Sequence, residues 1–291
     1  MTWDHSVHES PLFAPFLHCL QILNINNYQP LYVRPMRQVL NVLPSFRDLR
    51  ELDLSHVNVP PIARDVNLPL VHTLQKLSLS SSSLAWMDGL VFSQLQRFSV
   101  DEHGWPERFK RKVAMPSCTH IVFKQDKLES LPVLQSDFHL PLLDTFELSS
   151  EWVHYIHSET GISALQRIHA KRLKFRICFD YLGLLELLHT KDEVEHLDLV
   201  FEIGFSTAQQ ILTRLSVTNH VTDRVPCPSM RVLRLHFHDV EGTARQHFGQ
   251  LCRQMMSNRR LAGYSLEMCY IWWRYEDWQK AASLVLVMEN A

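Results

Sequence analysis

The sequence predicts an α/β leucine-rich-repeat solenoid, a curved parallel sheet with helices or extended returns on its convex side. Three observations predict it. First, a run of one apolar residue, two variable, one apolar, one variable and one apolar recurs nine times: Leu49–Leu52–Leu54, Leu74–Leu77–Leu79, Leu95–Phe98–Val100, Cys118–Ile121–Phe123, Leu143–Phe146–Leu148, Leu165–Ile168–Ala170, Val194–Leu197–Leu199, Met230–Leu233–Leu235 and Leu266–Cys269–Ile271. Second, the first residues of these runs lie 25, 21, 23, 25, 22, 29, 36 and 36 residues apart, mostly periods of stacked strand-and-return units. Third, the longer C-terminal intervals carry helical periodicity, so the later repeats read as full strand–helix units.

The elements follow in chain order. Residues 1–19 are read as an N-terminal tail, 20–265 as the solenoid and 266–291 as a last strand and C-terminal cap. Leu20–Leu23–Ile25 supplies a tenth run at the N-terminal end. Met36, Val39, Leu40 and Leu43 follow i, i+3, i+4, i+7 between Pro35 and Pro44, which predicts a short amphipathic helix. The middle repeats leave about a dozen residues between strands, enough for a turn or an extended return, marked by Pro60-Pro61, Ser80 to Ser83 and Trp105-Pro106. A helix is expected over Phe179 to His189. Ser206-Thr207-Ala208-Gln209 and Thr243-Ala244-Arg245-Gln246 read as capping boxes, each followed by an apolar helical face: Ile211, Leu212 and Leu215, then Phe248, Leu251, Cys252 and Met255. Trp272, Trp273, Trp278 and the apolar run Ala281 to Met288 are expected to cover the last sheet edge.

Composition narrows function. The 291 residues hold 29 basic and 31 acidic side chains, a net charge of −2, so no global charge points to nucleic acid or an anionic membrane. The six cysteines (Cys19, Cys118, Cys178, Cys227, Cys252, Cys269) form no CxxC pair and are expected to be reduced and structural, with no metal and no cofactor. The N-terminus has Asp4, His5 and His8 ahead of its apolar stretch and no basic residue, so it does not read as a signal peptide. Asn24, Asn26, Asn27, Gln29 and Pro30 interrupt the uncharged Leu12 to Val33, which excludes that stretch as a membrane span. The expected location is cytoplasmic or nuclear.

Leu49-Arg50-Glu51-Leu52-Asp53-Leu54, together with the ending Asn258-Arg259-Arg260-Leu261-Ala262-Gly263-Tyr264-Ser265-Leu266 and Trp272-Trp273, resembles fungal F-box and leucine-rich-repeat proteins of the mushroom-forming type. The resemblance covers roughly residues 15 to 291. It implies a substrate receptor of a ubiquitin ligase, in which an F-box docks a Skp-type adaptor and the repeats recruit a protein. Residues 1 to 19 are shorter than an F-box and lack its Leu-Pro start, so an adaptor partner is expected only if an F-box lies upstream. The Asn of the usual repeat is replaced by Val57, Ser82, His103, Asp126 and Glu151.

Phosphate-loop, dinucleotide, zinc-protease and nucleophile-elbow motifs are absent from the sequence. His236-Phe237-His238 places two imidazoles on one strand face, the starting point of the alternative reading, a His-rich metal-dependent hydrolase. Arg108 to Lys112 reads as a solvated basic loop. Lys171-Arg172-Leu173-Lys174-Phe175-Arg176-Ile177 alternates basic and apolar residues as a half-buried strand does; it is the origin of a third reading, RNA binding, which the acidic Asp192, Glu193, Glu195, Asp198 and Glu202 that follow and the net charge of −2 disfavour.

The leading reading is a non-catalytic scaffold whose partner is a protein, with neither nucleic acid nor membrane bound. In each repeat the apolar residues point inward and the variable ones between them line the concave face. The candidate binding residues are Glu51, Asp53, Lys76, Arg97, Asp101, His120, Lys124, Glu147, Arg167, His169, Lys171, His196, Asp198, Arg234 and His236. Arg97, Arg167 and Arg234 are expected to contribute most, because a guanidinium makes two directed hydrogen bonds to a carboxylate.

Overall fold

Alternation of buried and part-exposed residues, the mark of a strand with one packed face, runs through the repeats: Glu51–Leu54 and Thr145–Leu148 each read intermediate, buried, intermediate, buried. The computed structural model describes residues 21–24, 46–55, 69–101, 109, 111–124, 137–148, 163, 165–177, 182–201, 205–216, 225–238, 242–264, 266–274 and 282–287. The chain falls into two units, Met1–Leu143 and Asp144–Ala291.

In the first unit, β1 (Ile22–Asn24), β2 (Glu51–Leu54), β3 (Lys76–Ser80), β4 (Arg97–Asp101) and β6 (His120–Lys124) pair in parallel and in chain order. The returns between them form 3-10 turns at Pro69–His72 and Ser81–Met87, together with a second, two-stranded parallel pair, β5 (Val113–Ala114) and β7 (Phe138–His139). Short periods leave no room for long helices. The core lies between the strands and these returns: Leu52, Leu54, Leu77 and Leu79 are buried, Phe98 stacks on Phe138 at 5.8 Å, and Trp86 meets Phe92 at 6.1 Å. Gly89 sits at φ 75°, and a Cβ there would come within 2.9 Å of the Arg111 side chain, so this turn requires glycine.

In the second unit, β8 (Thr145–Leu148), β9 (Arg172–Ile177), β10 (His196–Phe201), β11 (Val232–His238) and β12 (Met268–Arg274) are parallel and in chain order. The final strand, β13 (Ala282–Val287), runs antiparallel to β12. Helices α1 (Leu182–His189), α2 (Phe205–Leu215) and α3 (Gly242–Leu261) occupy the last three connections between parallel strands. Their apolar stripes face the sheet, and Phe237 packs on Phe201 at 5.0 Å and on Phe248 of α3 at 4.5 Å. Leu197, Leu199, Leu233 and Leu235 are fully buried between the layers, each stabilising the fold by about 1.5–3 kcal/mol.

Two expectations need correction. The strand expected within Leu165–Ile168–Ala170 is a helical turn and bend, and β9 begins at Arg172. The repeat frame is Ala170–Leu173–Phe175, which has the same spacing five residues later, and all three of these residues are buried. Leu165 and Ile168 are also buried, which is why the earlier frame fits the pattern. Helices α2 and α3 begin at Phe205 and Gly242, so Ser206 and Thr243 lie inside first turns and do not cap from outside. The expected helix around residues 36–43 and the connections at Pro60-Pro61 and Trp105-Pro106 lie outside the described residues.

Candidate functional site

The face opposite the packed leucines is built by strand register alone. In the second unit, Glu147, Lys174, Asp198, Arg234 and Tyr270 occupy one row across β8 to β12. Parallel strands stand about 4.8 Å apart, close enough for neighbouring charges in a row to pair. Lys174 Nζ lies 2.8 Å from Glu147 Oε1, Arg234 Nη1 lies 3.3 Å from Asp198 Oδ1, and the Arg234 guanidinium sits 5.6 Å from the Tyr270 ring centre. The next row brings Val200, His236 and Trp272 together. His236 stacks on Trp272 at 4.6 Å with 11° between the planes, and Tyr270 stacks on the same indole at 5.3 Å. The result is a cluster of Arg234, His236, Tyr270 and Trp272 on the sheet face, all part-exposed.

His196 lies in the row beside Arg172 and Val232. Burial, then the charges of Arg172 and Arg234, hold its pKa below the usual imidazole value against the opposing pull of Asp198 and Glu195. Its Nδ1 is enclosed and meets no hydrogen-bond partner among the described residues. A neutral ring is the form this site accommodates.

In the first unit the corresponding rows are Glu51, Lys76, Arg97 and His120; Asp53, Ser78 and Ser99; and Ser80, Asp101 and Lys124. Lys76 closes on Glu51 at 2.7 Å and Lys124 on Asp101 at 3.2 Å. Asp53 Oδ1 accepts hydrogen bonds from the Ser55 amide at 3.0 Å and the Ser55 hydroxyl at 2.7 Å. Around the small side chain of Ser78 on β3 the face dips into a hollow of about 170 Å³, lined by Ile22, Glu51, Asp53, Lys76, Ser78 and Arg97.

Twelve of the fifteen candidate residues therefore lie in strands and in these rows. Arg167, His169 and Lys171 do not, because β9 starts after them; they sit in the turn before the strand, where His169 Nδ1 is 3.4 Å from Glu193 and Lys171 is 3.2 Å from Glu195. Lys174 and Arg176 take their places in the rows. Their signal was the basic–apolar alternation of residues 171 to 177. Tyr270 and Trp272 were also missed, although they alternate with the repeat residues Cys269 and Ile271 and so had to face away from the core.

Among the described residues no three His, Cys, Asp or Glu side chains come together as a metal site requires. Burial pushes the Cys118 thiol up to about 11 and Cys227 up to about 12, so neither is a thiolate at neutral pH. The Arg111 amide donates to Asp88 at 2.8 Å and the Phe109 amide to Asp137 at 3.2 Å; Arg108 and Lys110 of the basic run lie outside the described residues. No helix among the described residues is long and apolar enough to cross a membrane. In comparisons with known proteins, the chain matches no family model, no curated protein and no solved structure.

Proposed function

We propose that the chain is a non-catalytic protein-interaction scaffold, a leucine-rich-repeat solenoid acting in the cytoplasm or nucleus, whose strand face recruits another protein in the manner of an F-box-type substrate receptor. The repeat spacing and the resemblance to fungal F-box proteins support the architectural part of this reading. One observation carries the functional part: the cluster of Arg234, His236, Tyr270 and Trp272 on the strand face. Arg, Tyr and Trp are the side chains that most often concentrate interface energy, because they combine large contact area with directed polar groups. Beside them, Glu147, Lys174 and Asp198 form a polar border that fixes register and excludes partners of the wrong charge pattern.

The test uses displayed libraries of random peptides and small protein domains selected on the full chain. Binders are expected, and Trp272→Ala is expected to weaken the best of them by about 2 kcal/mol or more while the fold, read by circular dichroism, is unchanged. Failure to select any binder, or binders indifferent to both Trp272→Ala and Tyr270→Ala, counts against the cluster as a recognition surface.

A further inference from the structure

The acids and the lysines of the first unit's strand face are already engaged. Glu51 holds Lys76, Asp101 holds Lys124, and Asp53 is occupied by both donors of Ser55. Arg97 is the exception. It stands between Lys76 and His120 in its row, so neither strand neighbour offers it an acid, and its guanidinium meets no acceptor among the described residues. The second unit's Arg234, by contrast, is committed to Asp198 and Tyr270.

Arg97 also borders the hollow. On the adjacent strand is Ser78, whose hydroxyl makes no hydrogen bond among the described residues; Ile22, three strands away in the row of Arg97 and 53% exposed, gives the hollow an apolar far rim. Ser99, the register partner of Ser78, sits two residues along β4 from Arg97 on the same face. An open guanidinium beside an open hydroxyl matches the anionic end of a side chain, and the apolar far rim of the hollow of about 170 Å³ suits a neighbouring apolar residue of the same partner. Resting on the reading of this face as a protein-docking surface, we propose that the hollow takes the carboxylate of an aspartate or glutamate side chain of the partner protein. Arg97 binds it through two parallel N–H donors, and Ser78 supplies a further donor.

Charge decides between anions. The carboxylates Glu51 and Asp53 line the same hollow. A single carboxylate charge tolerates them, whereas a phosphate dianion or a polyanionic RNA strand brings added repulsion at the same distance.

The test begins with dodecamer peptides selected from a random displayed library on the full chain. The selected sequences should share an acidic residue at one position. A labelled peptide of that sequence should bind Arg97→Ala about tenfold or more weakly than wild type. Its Glu→Lys version should bind Arg97→Glu more tightly than it binds wild type, a charge-swap rescue that misfolding cannot imitate. Selected peptides without a shared acid, equal binding to wild type and Arg97→Ala, or failure of the rescue overturn the inference. Peptides that depend on Trp272 but not on Arg97 overturn it while leaving the docking role of the strand face in place. A library that yields no binder removes both. Binding of a short single-stranded RNA that is lost in Arg97→Ala assigns the hollow to phosphate and overturns the carboxylate reading.

Discussion

Replacing Arg259 by methionine is expected to destabilise the second unit more than any other single change of a charged residue there. Arg259 lies in the last turn of α3 and is fully buried. Its guanidinium donates to the carbonyls of Leu215 at 2.9 Å, Pro226 at 2.9 Å and Cys227 at 2.8 Å. Leu215 ends α2, where helical carbonyls lack intrahelical donors, and Cys227 adopts φ 46°, a conformation its neighbours must hold in place. Burial lowers the Arg259 pKa to about 10, which still leaves the side chain charged at neutral pH. Methionine keeps a flexible apolar stem but supplies no donor, and it excludes the water that would enter behind alanine. Each buried acceptor left without a donor costs about 1–3 kcal/mol, and relieving the desolvated charge returns part of the sum. The net loss is about 3–5 kcal/mol, in line with breaking other buried charge networks. Urea unfolding followed by far-UV circular dichroism measures it from the shift in midpoint at constant slope. Arg259→Lys should lose less, because an ammonium retains the charge and some of the bonds. Arg253→Ala, exposed on the same helix, should stay within about 0.5 kcal/mol of wild type. A methionine variant within about 1 kcal/mol of wild type would refute the assignment of three working hydrogen bonds.

Two further outcomes follow from burial. His189 and His196 both have pKa values lowered chiefly by burial, so folding favours their neutral rings; their contribution is intact above the unfolded pKa of about 6.5 and is lost as pH falls through that value toward the folded one. The unfolding midpoint should therefore drop between about pH 7.5 and 5.5, and His189→Gln with His196→Gln should flatten the drop; an unchanged slope rejects these two as its source. Cys118, Cys227, Cys252 and Cys269 are buried, and Cys269 is raised by its hydrogen bond with Cys252 as well as by burial, so a thiol reagent should label all four only after unfolding. Native-state labelling of Cys227 at the rate of a free thiol, read by peptide mass, overturns this.

Strand positions were legible in the sequence wherever apolar spacing was unique. Leu49–Leu52–Leu54 and Leu74–Leu77–Leu79 have one reading, and their second and third leucines fall in β2 and β3 as that reading requires. Between Leu165 and Phe175 two frames fit, because the helical turn before β9 buries Leu165 and Ile168 as deeply as the strand buries Leu173. Apolar spacing reports burial, and burial does not distinguish turn from strand; the basic–apolar alternation of residues 172 to 177 does, because only period two places Arg172, Lys174 and Arg176 on one side. The same ambiguity moved the candidate site from Arg167 to Lys174. The pairing of Arg234 with Asp198 and Tyr270, and the solitude of Arg97, depend on register across strands 21 to 36 residues apart, which no local pattern encodes.

Beside the strand ladder, side-chain donors reaching back into the repeat before also join successive repeats. In the first unit these are hydroxyls: Thr73 donates to the Leu49 carbonyl at 2.9 Å and Ser117 to the Ser93 carbonyl at 2.7 Å. In the second unit they are buried cations: Lys191 donates to the carbonyls of Gln166 (3.0 Å) and Ile168, and Arg259 to those of Leu215, Pro226 and Cys227. The difference follows from the returns. A short 3-10 return leaves one or two carbonyls near the next strand, within reach of a short side chain, whereas the end of α2 and the segment after it present the carbonyls of Leu215, Pro226 and Cys227 together. Only a long side chain with several donors reaches them, and its charge is tolerated in the core because carbonyl dipoles replace water around it. A buried cation is one solution among several: the last carbonyls of α1, Leu187 and Leu188, are met instead by Thr190 and the Cys227 amide, whereas Lys191 at 1% exposure and Arg259 at 0% satisfy the carbonyls before β9 and at the end of α2.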